Sequence, residues 1–442
     1  MVSASEVSQD GSAPAHRAPR WWRAVALLVA VVISACAARQ PAVQPASPIA
    51  ANSHAPRITL AHFDHLFAEA EVGGERVGVV NIYSTAPDFA FAIEPREGYA
   101  CVDDVARAIV LLAADPRPDA KRLRQIELMT RFVVQMQAEN GYFHNFIWAG
   151  GRINREYRTS LAELNWWSLR ALWGLEAALR HLPAGSPTAE RARAAADRLV
   201  ANLKRDLPVD RRGLETVEGV QVPTWLPFGA GADAASTAML GLLPHYQRTR
   251  DAGTRALVER LGEGLVQMQA GDARTFPYGA HLSWRYQWHG WGNAQAYALL
   301  RAGAVLDRRD FTASALREVD LFYPYLLEHG MLSSFALRVK DGEAEAVEVR
   351  RFPQIAYGIS PMVLAATEAY RQTGNTRYRD TARRLGAWLS GANDARSAVY
   401  DPVSGRVLDG VNGPGSVNPD SGAESTIEGL FALRALAGTP LS

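Results

Sequence analysis

The phrase Val134-Gln135-Met136-Gln137-Ala138 recurs as Val266-Gln267-Met268-Gln269-Ala270, and this repetition constrains the chain more than any other feature. Each copy closes an amphipathic stretch and is followed shortly by an aromatic loop, GYFHNF at 141–146 or RTFPYG at 274–279. Comparable stretches end near Asp206, His329 and Gly391, which gives a period of roughly sixty residues. Within each period one helix is apolar and one is charged and amphipathic. The apolar helices start near Val102, Ser160, Ala232, Trp291, Pro353 and Gly422; the amphipathic ones cover about 118–137, 187–206, 253–270, 310–329 and 376–391. From residue 57 onward the periodicity is helical, with no convincing alternating run.

Six apolar and five amphipathic helices leave one outer position open, which residues 58–71, ITLAHFDHLFAEAE, supply beside the last apolar helix. An open stack of hairpins leaves apolar faces bare at both ends, so closure into a ring is favoured. The expected architecture is all-α, an (α/α)6 toroid with six inner helices around a cavity. Alternation puts every inner-helix N-terminus on one rim. The loops before those helices are rich in Gly, Pro, Trp, His and Asn, whereas reverse connections such as 115–120 and 182–189 are plainer. That asymmetry argues against an open solenoid that merely binds another protein.

The first rim segment, GYACVDDVARA from Gly98 to Ala108, opens a nearly all-apolar helix with two adjacent carboxylates, Asp103 and Asp104, and one later charge, Arg107. One Asp suffices to cap a helix. The second is either paired with Arg107 or free for chemistry. Further round the rim lie His144 and Asn145, then Trp166, then Asp233, which reads as a cap or a catalyst. The fourth loop gathers Trp284, Tyr286, Trp288, His289 and Trp291, which would suit a stacking platform for a pyranose or an aromatic lining. Gln354 and Tyr357 follow. In the last segment Asp420, Glu424 and Glu428 recur every four residues, which would set them on one helix face, with Glu424 pointing into the cavity opposite the first helix. Cys101 has no partner cysteine but Cys36 and reads as a buried thiol, since the flanking acids oppose a thiolate.

The N-terminus reads as a targeting segment. Arg17, Arg20 and Arg23 precede an apolar run, 24–33, that is too short to span a bilayer. Its end, Ile33-Ser34-Ala35-Cys36, resembles the lipobox of bacterial lipoproteins, which implies lipidation at Cys36, a membrane anchor and a place in the cell envelope. The expected layout is therefore a signal peptide over 1–35, a small-residue, Pro-rich tether over 36–56 and one toroid domain over 57–442. A net charge of +1 with no basic run beyond the N-terminus gives no reason to expect nucleic acid, and the expected state is a monomer.

The blocks GYACVDDVARA, GYFHNF, WSLRALWGL, VYDPVSGRVLDGVN and NPDSGAESTIEGLFAL resemble the helical toroid that accompanies some bacterial glycosyltransferases, and more distantly the six-hairpin glycosidases. Pro419 and Asp420 depart from that pattern. The resemblance implies a carbohydrate context and no catalytic assignment. Glycoside hydrolysis, which needs two carboxyl groups, is the leading expectation, with Asp104 and Glu424 as the pair, Asp103 orienting them and an inverting outcome. Arg107, His144, Asn145, Trp166, Asp233, Trp288, His289, Trp291, Gln354 and Tyr357 are the expected substrate contacts. A lyase would use His144 or His289 as base with a Tyr as acid, and would want Arg350 and Arg351 at a uronate. A non-catalytic glycan-binding lipoprotein in surface-polysaccharide export would need only the aromatics. No cofactor is implied; no metal cluster is indicated, although Asp103 and Asp104 could hold calcium.

Overall fold

The computed structural model describes residues 58–438; the expected signal segment and the whole of the expected tether, with Cys36, lie outside them. Among the described residues twelve helices, besides a short turn at Pro227–Ala230, run in chain order: α1 Ala61–Leu66, α2 Val102–Ala113, α3 Ala120–Gln135, α4 Trp166–Ala178, α5 Pro187–Asp206, α6 Ala232–Thr249, α7 Ala252–Gln267, α8 Gln295–Leu306, α9 Arg309–His329, α10 Ala356–Thr373, α11 Thr376–Gly386 and α12 Ala423–Leu436. The even-numbered helices pack in sequence, α2 on α4 and so on to α12, and α12 returns to α2, which closes an inner ring. The odd-numbered helices lie outside it. This is the (α/α)6 toroid. Among the described residues no helix is long and apolar enough to cross a membrane.

Helix ends record the difference between the two faces. Four of the six outer helices start on ordinary side-chain caps: Asp119 accepts from the Arg122 N–H, Ser186 from Ala189 with Pro187 at the first helical position, Asp251 from Thr254 and Asn375 from Arg377. Inner helices α6, α8, α10 and α12 start with no side-chain cap. Their first N–H groups and positive dipole ends therefore lie on the rim, where they favour negative charge.

The inner helices approach closely where small residues meet. A Cβ on Gly174 of α4 would stand 3.0 Å from Ala106 Cα of α2. A branched side chain there has no space to enter, so Gly174→Val is expected to lower stability by about 1–3 kcal/mol in urea denaturation. A loss below that range would mean that the ring is looser than its contacts indicate.

The connections between the helices hold short strands, where the sequence shows no convincing alternating run. Residues 67–72 form a strand paired with 75–80, so the expected outer helix over 58–71 is helical only at Ala61–Leu66. That short helix still closes the ring, because His62 bonds the Ser421 carbonyl just before α12 at 2.8 Å. Further hairpins join 214–217 to 220–223 and 334–340 to 343–350, the latter extended by 287–289 into three strands. The turn Asp341-Gly342 has φ of 53° and 83°, as expected of the tight primed turns that join twisted strands. Helix α4 starts at Trp166 rather than near Ser160, which lies in the preceding loop and whose hydroxyl accepts from the Asn145 and Phe146 N–H groups.

Candidate active site

Helix α2 is aimed by a two-residue strand. Ala100 and Cys101 pair with Ile147 and Phe146, and a Cβ on Gly98, at φ 140°, would lie 2.1 Å from the Ile147 carbonyl oxygen. The motif therefore has to begin with glycine. Asn145 finishes the placement: its backbone carbonyl accepts from the Val102 N–H at 2.8 Å and its side-chain oxygen from the Asp103 N–H at 3.2 Å. Cys101 is the N-cap, its sulfur accepting from the Asp104 N–H at 3.4 Å, while the thiol donates to Asp104 Oδ2 at 3.3 Å. Burial and then Asp104 push this thiol well above its ordinary pKa, so it stays neutral.

Arg107, 2 % exposed, is the hub of the site. Its Nη1 is 2.8 Å from Asp104 Oδ1 and 3.3 Å from Asp103 Oδ2, its Nη2 is 3.0 Å from Glu424 Oε2 and its Nε is 3.2 Å from Glu428 Oε1. Arg170 of α4 reaches Asp103 with one terminal nitrogen and the Tyr357 hydroxyl with the other. The Tyr357 ring lies 4.6 Å beneath the Arg107 guanidinium, and the Ser360 hydroxyl donates to Glu428. Four helices, α2, α4, α10 and α12, are thus joined by one network that spans the seam between the first and last inner helices. Four carboxyls face two guanidiniums, and they do not all stay ionised. Burial raises Asp104 to about 6 and Glu428 to about 7 against the pull of Arg107.

A second group lies on α6 and the loop before α8. Asp233 accepts from the Ala234 N–H at 2.7 Å and from the Trp166 indole, yet burial raises it to about 7. It is not an N-cap, since Gly231 occupies that position. His289 Nε2 is 3.7 Å from Asp233 Oδ2; its ring stacks on Trp291 at 4.3 Å and its Nδ1 bonds the Trp291 carbonyl at 2.6 Å. Among the charges near Asp233 is Arg170, which links this group to the Arg107 network.

The structure therefore brings Asp103, Asp104, Arg107, Glu424 and Tyr357 together, and gathers Trp166, Asp233, His289 and Trp291 beside them. Five expectations change. Asp104 and Glu424 do not oppose each other across the cavity, since α2 and α12 are neighbours and share one guanidinium. Trp288 is no platform: in the strand 287–289 it turns inward while its neighbours turn out, and it is 1 % exposed and stacked on Phe335. Gln354 is consumed internally, its amide donating to Asp394 at 2.6 Å and its oxygen accepting from the Trp388 indole at 3.1 Å. His144 is buried against the Ser160 carbonyl, 3.0 Å away, and burial lowers its pKa. Asp420 lies before α12, not on it, and accepts from the Ala86 N–H at 2.9 Å.

Sequence reasoning missed Arg170, although it interrupts an apolar helix just as Arg107 does. It also missed Asp409, which burial raises to about 6 and which accepts from the Gly422 N–H at 2.8 Å, fixing the entry to α12.

No family model and no curated protein matches the sequence. Solved structures do. A D-mannose isomerase is 12% identical with a TM-score of 0.58, covering 82% of this chain and 92% of that chain. A sugar epimerase from a ruminal bacterium is 11% identical with a TM-score of 0.57 over 81% and 92%, and the unsaturated glucuronyl hydrolase of Bacillus sp. GL1 is 13% identical with a TM-score of 0.50 over 80% and 89%. The likeness is one of fold.

Proposed function

We propose that the protein hydrolyses glycosidic bonds in an oligo- or polysaccharide, with Asp233 as general acid and Glu424 as general base. The observation that carries this reading is the relation of two rim carboxyls. Both sit in the first turn of an inner helix, and α6 and α12 are opposite members of the six-helix ring. Packed helices lie about 8–10 Å apart, so opposite axes in such a ring are about 16–20 Å apart, which leaves room for a sugar and a water between the side chains. Asp233 holds its proton to about pH 7, as an acid must. Glu424 pairs with Arg107 and has a side chain 42% exposed, which suits a base that meets water. In the step, Asp233 gives its proton to the glycosidic oxygen as the bond to the anomeric carbon breaks. Glu424 takes a proton from the water whose oxygen bonds to that carbon on the opposite face.

Asp104 and Glu428 are buried beneath this line and act as positioning residues for Arg107; Asp103 bridges Arg107 to Arg170. Three of the solved structures that share the fold are an isomerase, an epimerase and a hydrolase of sugars, which supports a carbohydrate ligand. The lyase reading lacks its arginine pair, since Arg351 is tied to Asp394 at 2.9 Å and to the His329 carbonyl at 3.1 Å. The test is incubation of the purified protein with a panel of bacterial and plant glycans. New reducing ends are expected; an absorbing unsaturated product would establish a lyase instead, and binding without turnover a glycan-binding protein.

The lipobox-like segment supports an envelope lipoprotein anchored through Cys36. On Triton X-114 partition the protein from a bacterial host is expected in the detergent phase and Cys36→Ala in the aqueous phase. Equal partition of the two would remove the anchor from the account.

A further inference from the structure

One exposed aromatic ring on the rim lies outside the proposed proton transfers. Phe228 is 38% exposed, and its ring lies against Trp166 with centroids 4.8 Å apart and planes 21° from parallel. Its backbone is left-handed at φ 54°, followed by Gly229 at 64° and Ala230 at 77°. Positive φ at a non-glycine residue is strained and persists only where the surroundings over-determine it. They do so here. The Trp284 indole donates to the Phe228 carbonyl at 2.9 Å, the Arg285 N–H to the Ala230 carbonyl at 3.1 Å and the Gly231 N–H to the Pro227 carbonyl at 2.7 Å. The loop thus holds a large apolar ring towards solvent against both backbone preference and the hydrophobic effect, which favours burial of a Phe.

Trp166, the partner in that stack, also donates its indole N–H to Asp233. We propose that the Phe228–Trp166 pair is a stacking subsite for the pyranose ring on the leaving-group side of the scissile bond. The placement rests on the hydrolytic reading. Along the line from Glu424 to Asp233 a substrate presents the attacking water, the anomeric carbon, the glycosidic oxygen and then the leaving sugar. The sugar beside the acid is therefore the leaving one, and its apolar C–H face meets the aromatic flank of α6.

The test is calorimetric titration of the full-length Glu424→Gln protein, kept in detergent, with ladders of gluco-, manno-, xylo- and galacturono-oligosaccharides. The ladder that the parent binds is expected to bind about tenfold more weakly, or worse, when Phe228→Ala is added. Phe228→Tyr is expected to restore it and Phe228→Leu is not, with all variants matched for thermal unfolding. Binding of Phe228→Ala within twofold of the parent would overturn the subsite, as would a leucine that serves as well as tyrosine. A parent that binds no ladder at millimolar concentration would also overturn it. Weakened binding by a protein whose wild type cleaves nothing would keep the sugar subsite and overturn the hydrolytic reading, together with the leaving-group side.

Discussion

Arg107→Met is expected to cost about 3–5 kcal/mol of stability at pH 8 and clearly less at pH 5. The guanidinium is buried and stands within 3.3 Å of four carboxyl groups, two of which, Asp104 and Glu428, are themselves only 4% exposed. At pH 8 its removal leaves those two charges in a low-dielectric interior without a cation. At pH 5 both carry protons, since burial sets them at about 6 and about 7, and far less charge is stranded. The wild type has a related pH dependence. A carboxyl whose folded pKa lies above its unfolded value adds stability that is fully present below the unfolded pKa and lost as pH rises through the folded one. Asp104, Glu428, Asp233 and Asp409 all shift in this direction, so stability falls from about pH 4 towards pH 7. Carboxyls shifted down by partners, among them Asp64 and Glu176, act the other way, their contribution being lost as the pH falls below the ordinary carboxylate range. Urea titrations of both proteins at the two pH values provide the check. A loss of equal size at pH 5 and pH 8 would mean that Arg107 does not serve to compensate these acids.

Asp233→Asn and Glu424→Gln are each expected to lower kcat/KM on the glycan substrate by about 10²–10⁴-fold while leaving the protein folded. The amide oxygen that Asp233→Asn introduces could still accept from the Ala234 N–H, and Glu424 is the most exposed of the four carboxyls on Arg107, which keeps the other three, so both variants are expected to fold. The two losses should differ in kind. A glycosyl fluoride departs without a proton, so turnover of that substrate should recover in Asp233→Asn and not in Glu424→Gln. The wild-type rate should fall as pH rises past about 7, where Asp233 gives up its proton. Full activity in either variant would remove that residue from the chemistry.

The ring was legible in the sequence because its evidence is local. Outer helices announce themselves by caps at Asp119, Ser186, Asp251 and Asn375 and by amphipathic runs, and inner ones by long apolar stretches after irregular loops. The hairpins were lost among those loops although their turns carry a signal: Gly73-Gly74, Glu218-Gly219 and Asp341-Gly342 all have positive φ at both positions. For the site, the acidic doublet and Glu424 could be named from helix starts, and ring closure brings these distant segments onto one arginine. Which of two adjacent residues faces the cavity depends on the strand 287–289, without which Trp288 and His289 read alike. The internal role of Gln354 is hidden in the sequence because its partners, Asp394 and Trp388, come from a later part of the chain.

The stereochemistry of the product tests the central claim most directly. Carboxyls on opposite inner helices, with water entering between base and sugar, predict that proton NMR of a fresh digest records first the anomer inverted from the substrate, with the other growing in by mutarotation. Retention would require a nucleophilic carboxylate about 5 Å from the acid, and would contradict the pairing of Asp233 with Glu424.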